Sequence, residues 1–443
     1  MTASAQYVPG TRPLRFPSAF RWIGAAREDV FNLYPEQCFS QLRIDKTLFQ
    51  RQIVYLSDID AAKLVLGRAS SKFRLSNLQK RLLSPALGKG IIVAEGDSWA
   101  CQRRISLRVL ERFPEHLSEH FDYLDTRLDE VASKLVSCTR GAQSDSTGVF
   151  AELQTVALDI LYTVLFGGAG RIATSQTIAA ISDYLQCIQR FDAGDITGFV
   201  AGIASPKMKR ARRIACGHDR TIHQMIDEVQ DPLLDQACWT QDEKRDFVVS
   251  FLSGFETTAL GVLWGLGHLA LSETHQLSMA EAEVAWVPRR RSAWPDHGFS
   301  ERFAAEVLRL YPPLPFMCRV ARETVDTPAG EIRRGSLVMI SPYVIHRHRA
   351  FWDRPDEFDP ARYDGGPNEA FIPFGTGARR CVGMSLGWFL VQYLLRELSR
   401  RLHVSLDGPL PQPRGGLSLR PKESPRLRFE LRPQVIAAPE IRV

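Results

Sequence analysis

The sequence predicts an α+β protein that is mainly α-helical and carries small β elements. From about residue 97 to residue 310 the hydrophobic pattern is mainly helical, because apolar residues recur at intervals of three and four. The last third is rich in proline and glycine and breaks into short strands and turns before one more helix, Met384 to Leu402. The sequence lacks the regular β-α-β alternation of a doubly wound parallel sheet. We therefore expect a helix-dominated body with β elements at both ends.

Individual elements can be located in chain order. A β-branched run from Gln52 to Leu56 predicts a short strand, and a helical pattern from Ala61 to Leu66 follows it. Thr240 and Glu243 fit a capping box, in which the threonine caps a helix and the glutamate reaches back to it. Apolar residues then continue on nearly every face to about Leu271. We expect one long helix there, running through the protein interior.

The composition is that of an ordinary globular protein. Of the 443 residues, 44% are hydrophobic and 24% are charged, and the formal net charge is +6. This mild positive charge fits an acidic protein partner as well as it fits nucleic acid, so the charge decides nothing alone. We expect no nucleic-acid partner. The eight cysteines form no C-x-x-C pair, which is typical of reduced cytosolic thiols. The longest strongly apolar stretch, residues 259–271, falls short of the ~20 residues of a membrane span. We expect a cytoplasmic monomer without a transmembrane segment.

The most informative segment surrounds Cys381 and reads Phe374-Gly-Thr-Gly-Ala-Arg379-Arg-Cys381-Val-Gly383. Glycines two residues before Arg379 and two after Cys381 allow a tight loop that presents one sulfur. The apolar helix that follows directs N–H groups and a positive dipole end toward that sulfur. Such surroundings suit a thiolate that ligates iron, which favours O–O cleavage. For an isolated cysteine, the alternatives are a buried structural thiol and a catalytic nucleophile with a distant histidine.

The complete pattern F-x-x-G-x-R-x-C-x-G resembles the haem-binding loop of the cytochrome P-450 family at every defined position. The resemblance implies that Cys381 is the axial thiolate ligand of haem b, iron protoporphyrin IX. It also implies the family's fold for residues 1–443, as a single large domain with a β-rich and an α-rich lobe. Residues 1–40 would then be an N-terminal lead-in, and residues 374–383 the haem-thiolate loop. Residues 272–300 depart from the family, because they show little helical periodicity.

A second motif of the same family concerns the support of the haem loop. Glu306 and Arg309 form an E-x-x-R pair, and residues three apart share one face of a helix. The resemblance implies that Arg362 completes a structural ion-pair network with them.

Cofactor contacts are implied in the same way. Trp99 and Arg103 match the family's W-x-x-x-R element, and both could bind a haem propionate. Arg319 and Arg379 stand where the family often places further propionate partners. The implied cofactor-binding residues are Trp99, Arg103, Arg319, Phe374, Arg379 and Gly383.

The segment Ser253-Gly254-Phe-Glu256-Thr257-Thr258 resembles the family's oxygen-activation motif, with Ser253 where alanine or glycine is usual. The resemblance implies that Glu256 and Thr257 are catalytic and relay protons to the face of the haem where oxygen binds. Gly254 weakens the helix locally and leaves room for a groove. The alternative is a buried threonine that bonds back to the carbonyl four residues earlier.

The resemblance also places a substrate pocket, whose apolar walls favour a lipophilic substrate such as a terpenoid or a fatty-acyl compound. The implied wall residues are Phe73, Phe199, Phe251, Phe255, Leu314, Phe316 and Leu417.

Arginines at positions 104, 108 and 112 form a basic stripe along the helix that carries Trp99. In the family, electron donors dock beside this helix, so the stripe predicts an acidic partner, although a solvated helix face is the alternative. About 60 residues follow Cys381, which leaves no fused flavin domain. We therefore expect a separate ferredoxin or flavodoxin-type electron donor with its own reductase, docked at Arg104, Arg108 and Arg112.

Together these features predict a monooxygenase that inserts one atom of O2 into a lipophilic small molecule. A peroxide-driven or isomerising haem-thiolate enzyme is one alternative, but such enzymes usually lack the acid–alcohol pair. A non-catalytic haem-binding sensor is the other, and it would need an output domain for which the chain has no room.

Overall fold

The structure of the protein is a computed structural model. It describes residues 6–7, 27–48, 51–139, 146–166, 174–191, 206–227, 234, 239–286, 298–366, 368–437, 439 and 441. This part of the chain is mainly helical with small sheets, which confirms the predicted fold class. Phe199, a predicted wall residue of the pocket, lies outside the described residues.

Helices make up most of the described chain, and many begin at a side-chain cap. Asp58, for example, accepts a hydrogen bond of 2.7 Å from the Ala61 N–H at the start of the first α-helix. The α-helices of the described residues, in chain order, are α1 Ile59–Leu66, α2 Asn77–Leu87, α3 Gly96–Glu111, α4 Phe113–Glu119, α5 Phe121–Thr139, α6 Ser146–Phe166, α7 Thr174–Ile188, α8 Pro206–Asp227, α9 Gln241–Leu252, α10 Gly254–Leu269, α11 Glu273–Ala280, α12 Phe299–Leu310, α13 Pro342–Ile345 and α14 Met384–Arg401.

The strands form four small sheets. They are β1 Gln6–Tyr7, β2 Arg43–Leu48, β3 Arg51–Leu56, β4 Phe73–Leu75, β5 Met317–Ala321, β6 Leu337–Ile340, β7 Glu357–Phe358, β8 Leu402–Leu406, β9 Pro413–Gly415, β10 Leu419–Pro421 and β11 Leu427–Leu431. The largest sheet has the order β2-β3-β6-β5-β4, and β3 and β6 run parallel, with Val54 opposite Val338. β1 pairs with β7, β8 with β11, and β9 with β10. A larger hydrophobic cluster lies among the helices and a smaller one against the five-stranded sheet.

The long interior helix is present but divided. The capping box at its start is confirmed, because the Thr240 side chain accepts from the Glu243 N–H and the Glu243 side chain from the Thr240 N–H. The prediction of one uninterrupted helix is wrong, since α9 ends at Leu252 and α10 begins at Gly254. The Ser253 hydroxyl donates to the Ser250 carbonyl at 2.7 Å. Such side-chain bonds to helix carbonyls compete with the regular helix pattern and bend it.

Two described parts of the segment 272–300 are helical, so the expectation of little helix there is wrong for them. Helix α11 spans Glu273–Ala280, with the Ser272 hydroxyl accepting from the His275 N–H at 3.2 Å. Helix α12 begins at Phe299. A serine cap and tertiary packing against α14 stabilise α11, although its own hydrophobic periodicity is weak.

One helical run of the described residues, Gln241–Leu269, has the length and apolar composition of a membrane span. In this fold, 78% of its most apolar window is buried inside the protein. A core helix passes the same test of length and composition as a span, and α10 packs between α6 and α14.

Candidate active site: the cysteine loop and the cavity above it

The loop before α14 is shaped by two glycines with left-handed backbone. Gly375 has φ 70° and Gly377 has φ 73°, values that side chains rarely adopt. A Cβ on Gly377 would lie 2.1 Å from the Leu66 carbonyl oxygen, so α1 approaches the loop too closely for any other residue. The loop then closes through a hydrogen bond of 2.9 Å from the Cys381 N–H to the Phe374 carbonyl. The predicted tight loop around the cysteine is therefore present.

The Cys381 side chain faces a cavity, and its surroundings act on the thiol in opposite directions. Burial among protein atoms raises the pKa of the Cys381 thiol, whereas a hydrogen bond from the Gly383 N–H and the charges of Arg103 and Arg380 lower it. The N–H and the two cations favour the thiolate over the thiol. Gly383 precedes α14 directly, so the positive end of that helix points toward the sulfur.

Three arginines converge on the same cavity without a carboxylate partner. Among the described residues, Arg103, Arg319 and Arg379 form no ion pair, and each donates to a backbone carbonyl, of Arg380, Cys318 and Ala94, at 2.9, 2.9 and 2.6 Å. Burial and the neighbouring Arg379 lower the pKa of Arg319 to about 10. Buried cations that repel one another need anions nearby. The carboxylates of haem propionates satisfy that need, so these residues fit the cofactor.

Trp99 lies between two of these cations. The guanidinium carbons of Arg103 and Arg379 are 5.7 and 4.9 Å from the centre of its ring. The electron-rich ring face attracts both charges and fixes their positions. All six predicted cofactor residues line the cavity, namely Trp99, Arg103, Arg319, Phe374, Arg379 and Gly383.

The cavity extends from Cys381 to the junction of α9 and α10. Its volume is about 430 Å³, and most of its lining is apolar. Of the predicted wall residues, Phe251, Leu314, Phe316 and Leu417 line it. Side chains that the sequence analysis did not single out, including Leu161, Ile181 and Val391, line it as well.

The prediction that Phe73 and Phe255 line the pocket is wrong. Phe73 is buried in the hydrophobic cluster of the five-stranded sheet, and Phe255 is fully buried among the helices. Neither lines the cavity. Phe255 lies about 100° around the helix from Glu256, so when Glu256 faces the cavity Phe255 faces the core.

The three residues of the predicted ion-pair network are in contact through Glu306. Glu306 accepts hydrogen bonds of 2.7 and 2.8 Å from Arg309 and one of 2.9 Å from Arg362. The Asp359 N–H donates to the same carboxylate at 2.8 Å. The Glu306 and Arg309 side chains are fully buried. The pair therefore ties α12 to the segment that leads into the haem loop.

Glu256 and Thr257 both line the cavity on its α10 side. The Thr257 and Thr258 hydroxyls donate to the Gly254 carbonyl at 2.9 and 3.2 Å. Thr258 therefore bonds to the carbonyl four residues earlier, as the structural alternative expects, whereas Thr257 bonds to the carbonyl three residues earlier. Both threonines line the cavity. An added Cβ at Gly254 would meet no atom within 4 Å, so the helix is open at this point.

The sequence analysis missed the partners of Glu256. Its carboxylate accepts hydrogen bonds from Arg420 and from the Gln154 amide, the latter at 2.6 Å. These residues are 164 and 102 positions away along the chain. No motif marks them, and no local spacing connects them to Glu256.

The basic stripe on α3 is only partly a free surface. Arg104 and Arg108 are exposed, whereas Arg112 follows the last residue of the helix and is half-buried. The stripe therefore presents two exposed guanidiniums on α3.

The cysteine loop, the arginines and the overlying helix define a haem-thiolate site, and comparisons with known proteins agree. The family model for cytochrome P450 matches residues 42–254 and 248–428. The chain belongs to the cytochrome P450 family. Its cofactor is therefore haem held by a cysteine thiolate, that of Cys381, and its activity is that of a P450 monooxygenase.

Named relatives and solved structures support the assignment. Cytochrome P450 4A11 of Homo sapiens is 27% identical over 376 residues, which cover 74% of this chain and 70% of the relative. The taurochenodeoxycholic 6 alpha-hydroxylase of Sus scrofa is 24% identical, with coverage of 84% and 81%. A crystal structure of a P450 from Thermus thermophilus has a TM-score of 0.70 at 21% identity and covers 94% of this chain and 100% of that one. A zebrafish P450 with progesterone has a TM-score of 0.68 at 20% identity, with the same coverage. At these identities the structures establish the fold alone.

Proposed function

We propose that this P450 inserts one oxygen atom from O2 into a lipophilic small molecule, of terpenoid or fatty-acyl type, with electrons from a separate donor protein. The observation that carries the proposal is the continuous cavity, which Cys381 borders at one end and Glu256 and Thr257 at the other. A lipophilic molecule fits this mainly apolar lining. One relative is named as a hydroxylase of taurochenodeoxycholic acid and one fold relative was solved with progesterone, which supports a lipophilic substrate.

The residues of the chain have distinct tasks in this scheme. When bound, haem supplies the activation of molecular oxygen. Cys381 would hold the haem through its thiolate, and Arg103, Arg319 and Arg379 would bind the propionates. The apolar wall excludes bulk water, and Thr257 and Glu256 hold and move protons where α10 is open beside Gly254.

The ligand assignment is tested with the carbon monoxide complex of the reduced protein. Thiolate ligation gives a strongly red-shifted Soret band, and we expect Cys381→Ala to abolish it. Cys318→Ala and Cys101→Ala are matched controls that should keep the band. If Cys381→Ala retains it, another residue holds the haem.

The proton role is tested by comparing Thr257→Ala with Thr258→Ala. Both hydroxyls bond to the Gly254 carbonyl, so the two variants remove the same local contact. We expect Thr257→Ala to bind haem and accept electrons normally but to divert oxygen to hydrogen peroxide, whereas Thr258→Ala should do so much less. Equal peroxide yields from Thr257→Ala and the parent would contradict the assignment.

The electron donor is proposed to be an acidic ferredoxin or flavodoxin-type protein that has its own reductase. Arg104 and Arg108 are exposed on α3 and provide the complementary charge. Arg104→Glu with Arg108→Glu should slow reduction by such a donor and flatten its salt dependence, because oppositely charged surfaces steer association. Lys209→Glu with Arg210→Glu, on α8, is the matched charge reversal. Reduction slowed equally by both pairs would show an effect of net charge alone.

The organisation of the enzyme is also part of the proposal. We propose that residues 1–443 act as one catalytic domain, in the cytoplasm and as a monomer. The match of the family model from residue 42 to residue 428 supports a single P450 unit. Sedimentation of the purified protein tests the monomer, and fractionation of the producing cells tests the compartment.

A further inference from the structure

Glu256 does not face the cavity as a free carboxylate. One of its oxygens accepts a hydrogen bond from the Arg420 guanidinium and lies 3.5 Å from the Ser418 hydroxyl. The other oxygen accepts from the Gln154 amide at 2.6 Å. Both Glu256 and its cation are buried, with side-chain exposures of 5% and 15%. The acid proposed to move protons is therefore held in one orientation by groups from α6 and from the β9–β10 hairpin.

Arg420 forms its ion pair with the Glu256 carboxylate. Among the described residues, Glu256 is the only acid within ion-pair distance of it. Its Nε donates to the Ser418 hydroxyl at 3.4 Å, and its guanidinium lies 5.7 Å from the centre of the Phe150 ring on α6. A guanidinium keeps its charge at any ordinary pH. Arg420 therefore cannot pass on a proton itself, but it can fix the group that does.

The same hairpin also contacts the substrate cavity. Its turn carries Leu417, which lines the cavity, and Ser418, whose backbone and hydroxyl both donate to the Gln189 side chain at 3.1 Å. The Gln189 amide returns a bond of 2.6 Å to the Ser418 carbonyl. Gln189 directly follows α7. The turn is therefore held by hydrogen bonds to Gln189 and by the ion pair between Glu256 and Arg420. A shift of the turn would therefore change the orientation of the Glu256 carboxylate.

We propose that Arg420 is a positioning residue for proton delivery. It holds the Glu256 carboxylate beside Thr257 and couples its orientation to the hairpin turn that contacts the substrate. The proposal rests on the proposed role of Glu256 in moving protons. A misplacement of about 1 Å at a reacting group costs roughly 100-fold in rate, so loss of Arg420 should slow proton delivery even though Arg420 touches neither haem nor oxygen.

The experiment compares Arg420→Gln, Arg420→Lys, Glu256→Gln and the double variant in the haem-loaded enzyme. Arg414→Gln is the matched control, because Arg414 pairs with Arg420 across the hairpin and does not contact Glu256. Electrons are supplied from NADH through a surrogate ferredoxin and its reductase. The hydrogen peroxide that the same donor forms with O2 in the absence of the P450 is subtracted, so neither the natural donor nor the substrate is needed. Oxygen uptake, hydrogen peroxide yield and the solvent deuterium isotope effect on oxygen reduction are measured. Haem content and thermal midpoint report on folding.

We expect Arg420→Gln to slow the water-forming route about 10-fold or more, with a higher peroxide yield and a changed isotope effect. Arg420→Lys should recover part of the loss, and Arg414→Gln should behave as the parent. In the Glu256→Gln background, Arg420→Gln should add little, because residues that act as one unit are not additive. Lys rescue keeps the test valid if Arg420→Gln folds poorly.

The outcomes separate the two hypotheses. If Glu256→Gln leaves peroxide yield and isotope effect unchanged, the proposed proton role of Glu256 fails. If Glu256→Gln changes them but Arg420→Gln does not, only the positioning role is overturned. Full additivity of the two substitutions would likewise assign Arg420 a separate, structural role.

Discussion

Two buried glutamates are each paired with arginine, and of the two Glu256 borders the cavity whereas Glu306 does not. Glu306 accepts from Arg309, Arg362 and a backbone N–H. Arg309 in turn donates to the backbone carbonyls of residues 346, 355 and 357, at 2.8, 2.6 and 2.9 Å. Glu256 accepts from one cation and one amide, lies 3.5 Å from the Ser418 hydroxyl, and borders the cavity.

The difference in burial and partners distinguishes a glutamate that stabilises the fold from a glutamate that can take part in proton transfer. Glu306 and Arg309 are fully buried and Arg362 is 10% exposed, and peptide groups of fixed elements also satisfy these charges. Such a network has no group that can leave without a large penalty. Glu256 borders the cavity, and its cation Arg420 is 15% exposed. This contrast agrees with a role in the fold for Glu306 and with the proposed role in proton transfer for Glu256.

The largest loss of stability is expected from breaking the Glu306–Arg309–Arg362 network. Glu306→Gln leaves the buried Arg309 without its counter-ion, which typically costs roughly 3–5 kcal/mol of unfolding free energy. We expect a low haem content and a lowered thermal midpoint. Glu331→Gln is the control, because its pair with Arg333 is exposed at 53% and 77% and contributes at most about 1 kcal/mol. Equal stability of Glu306→Gln and the parent would contradict the structural role of Glu306.

Substitution of Glu256, which borders the cavity, is expected to cause a smaller loss of stability and a larger loss of function. Glu256→Gln keeps the shape and the side-chain oxygen, and the Arg420 side chain is 15% exposed, so part of its charge is already in contact with water. We expect normal haem content and a thermal midpoint above that of Glu306→Gln, while proton-dependent turnover falls about 10²-fold or more. Unfolding monitored by the Soret band and peroxide yield during oxygen reduction measure both quantities. A midpoint as low as that of Glu306→Gln would mean that the two acids serve the fold alike.

The smallest effect concerns a third buried carboxylate, Asp29, for which no arginine of the described residues lies within hydrogen-bond distance. Asp29 accepts from the Phe31 and Gly415 N–H groups at 2.9 and 3.1 Å, and burial raises the pKa of Asp29 to about 6. Since the folded pKa lies above the ordinary value of 3.8, this group favours the folded state at low pH. That contribution is lost as pH rises through about 6.

Asp29→Asn cannot ionise, so its stability relative to the parent should increase between about pH 4 and pH 6, by at most roughly 2 kcal/mol, and level off above. Asp407→Asn should show the opposite sign, because the Arg428 side chain lowers the pKa of Asp407. Chemical unfolding at several pH values measures both. A pH-independent difference for Asp29→Asn would show that backbone N–H groups alone satisfy this carboxylate.

Much of the site could be predicted because its parts are local. The cysteine loop depends on glycines within ten residues of one another, and the capping box and the Glu306–Arg309 pair join residues three apart. Interactions over one turn of helix or one tight loop follow from backbone geometry that a short sequence prescribes. The sequence by itself therefore determined the haem-thiolate chemistry, the main helices and the support of the loop.

The tertiary structure alone decided what surrounds these parts. The break at Ser253, the burial of Phe73 and Phe255 in the core and the pairing of Glu256 with Arg420 all depend on which elements pack together. Residue 420 lies on a three-residue strand that carries almost no local signal. Helical and strand periodicity state which face of an element is apolar, but not which neighbour it meets, because that choice is made by close packing of the whole interior.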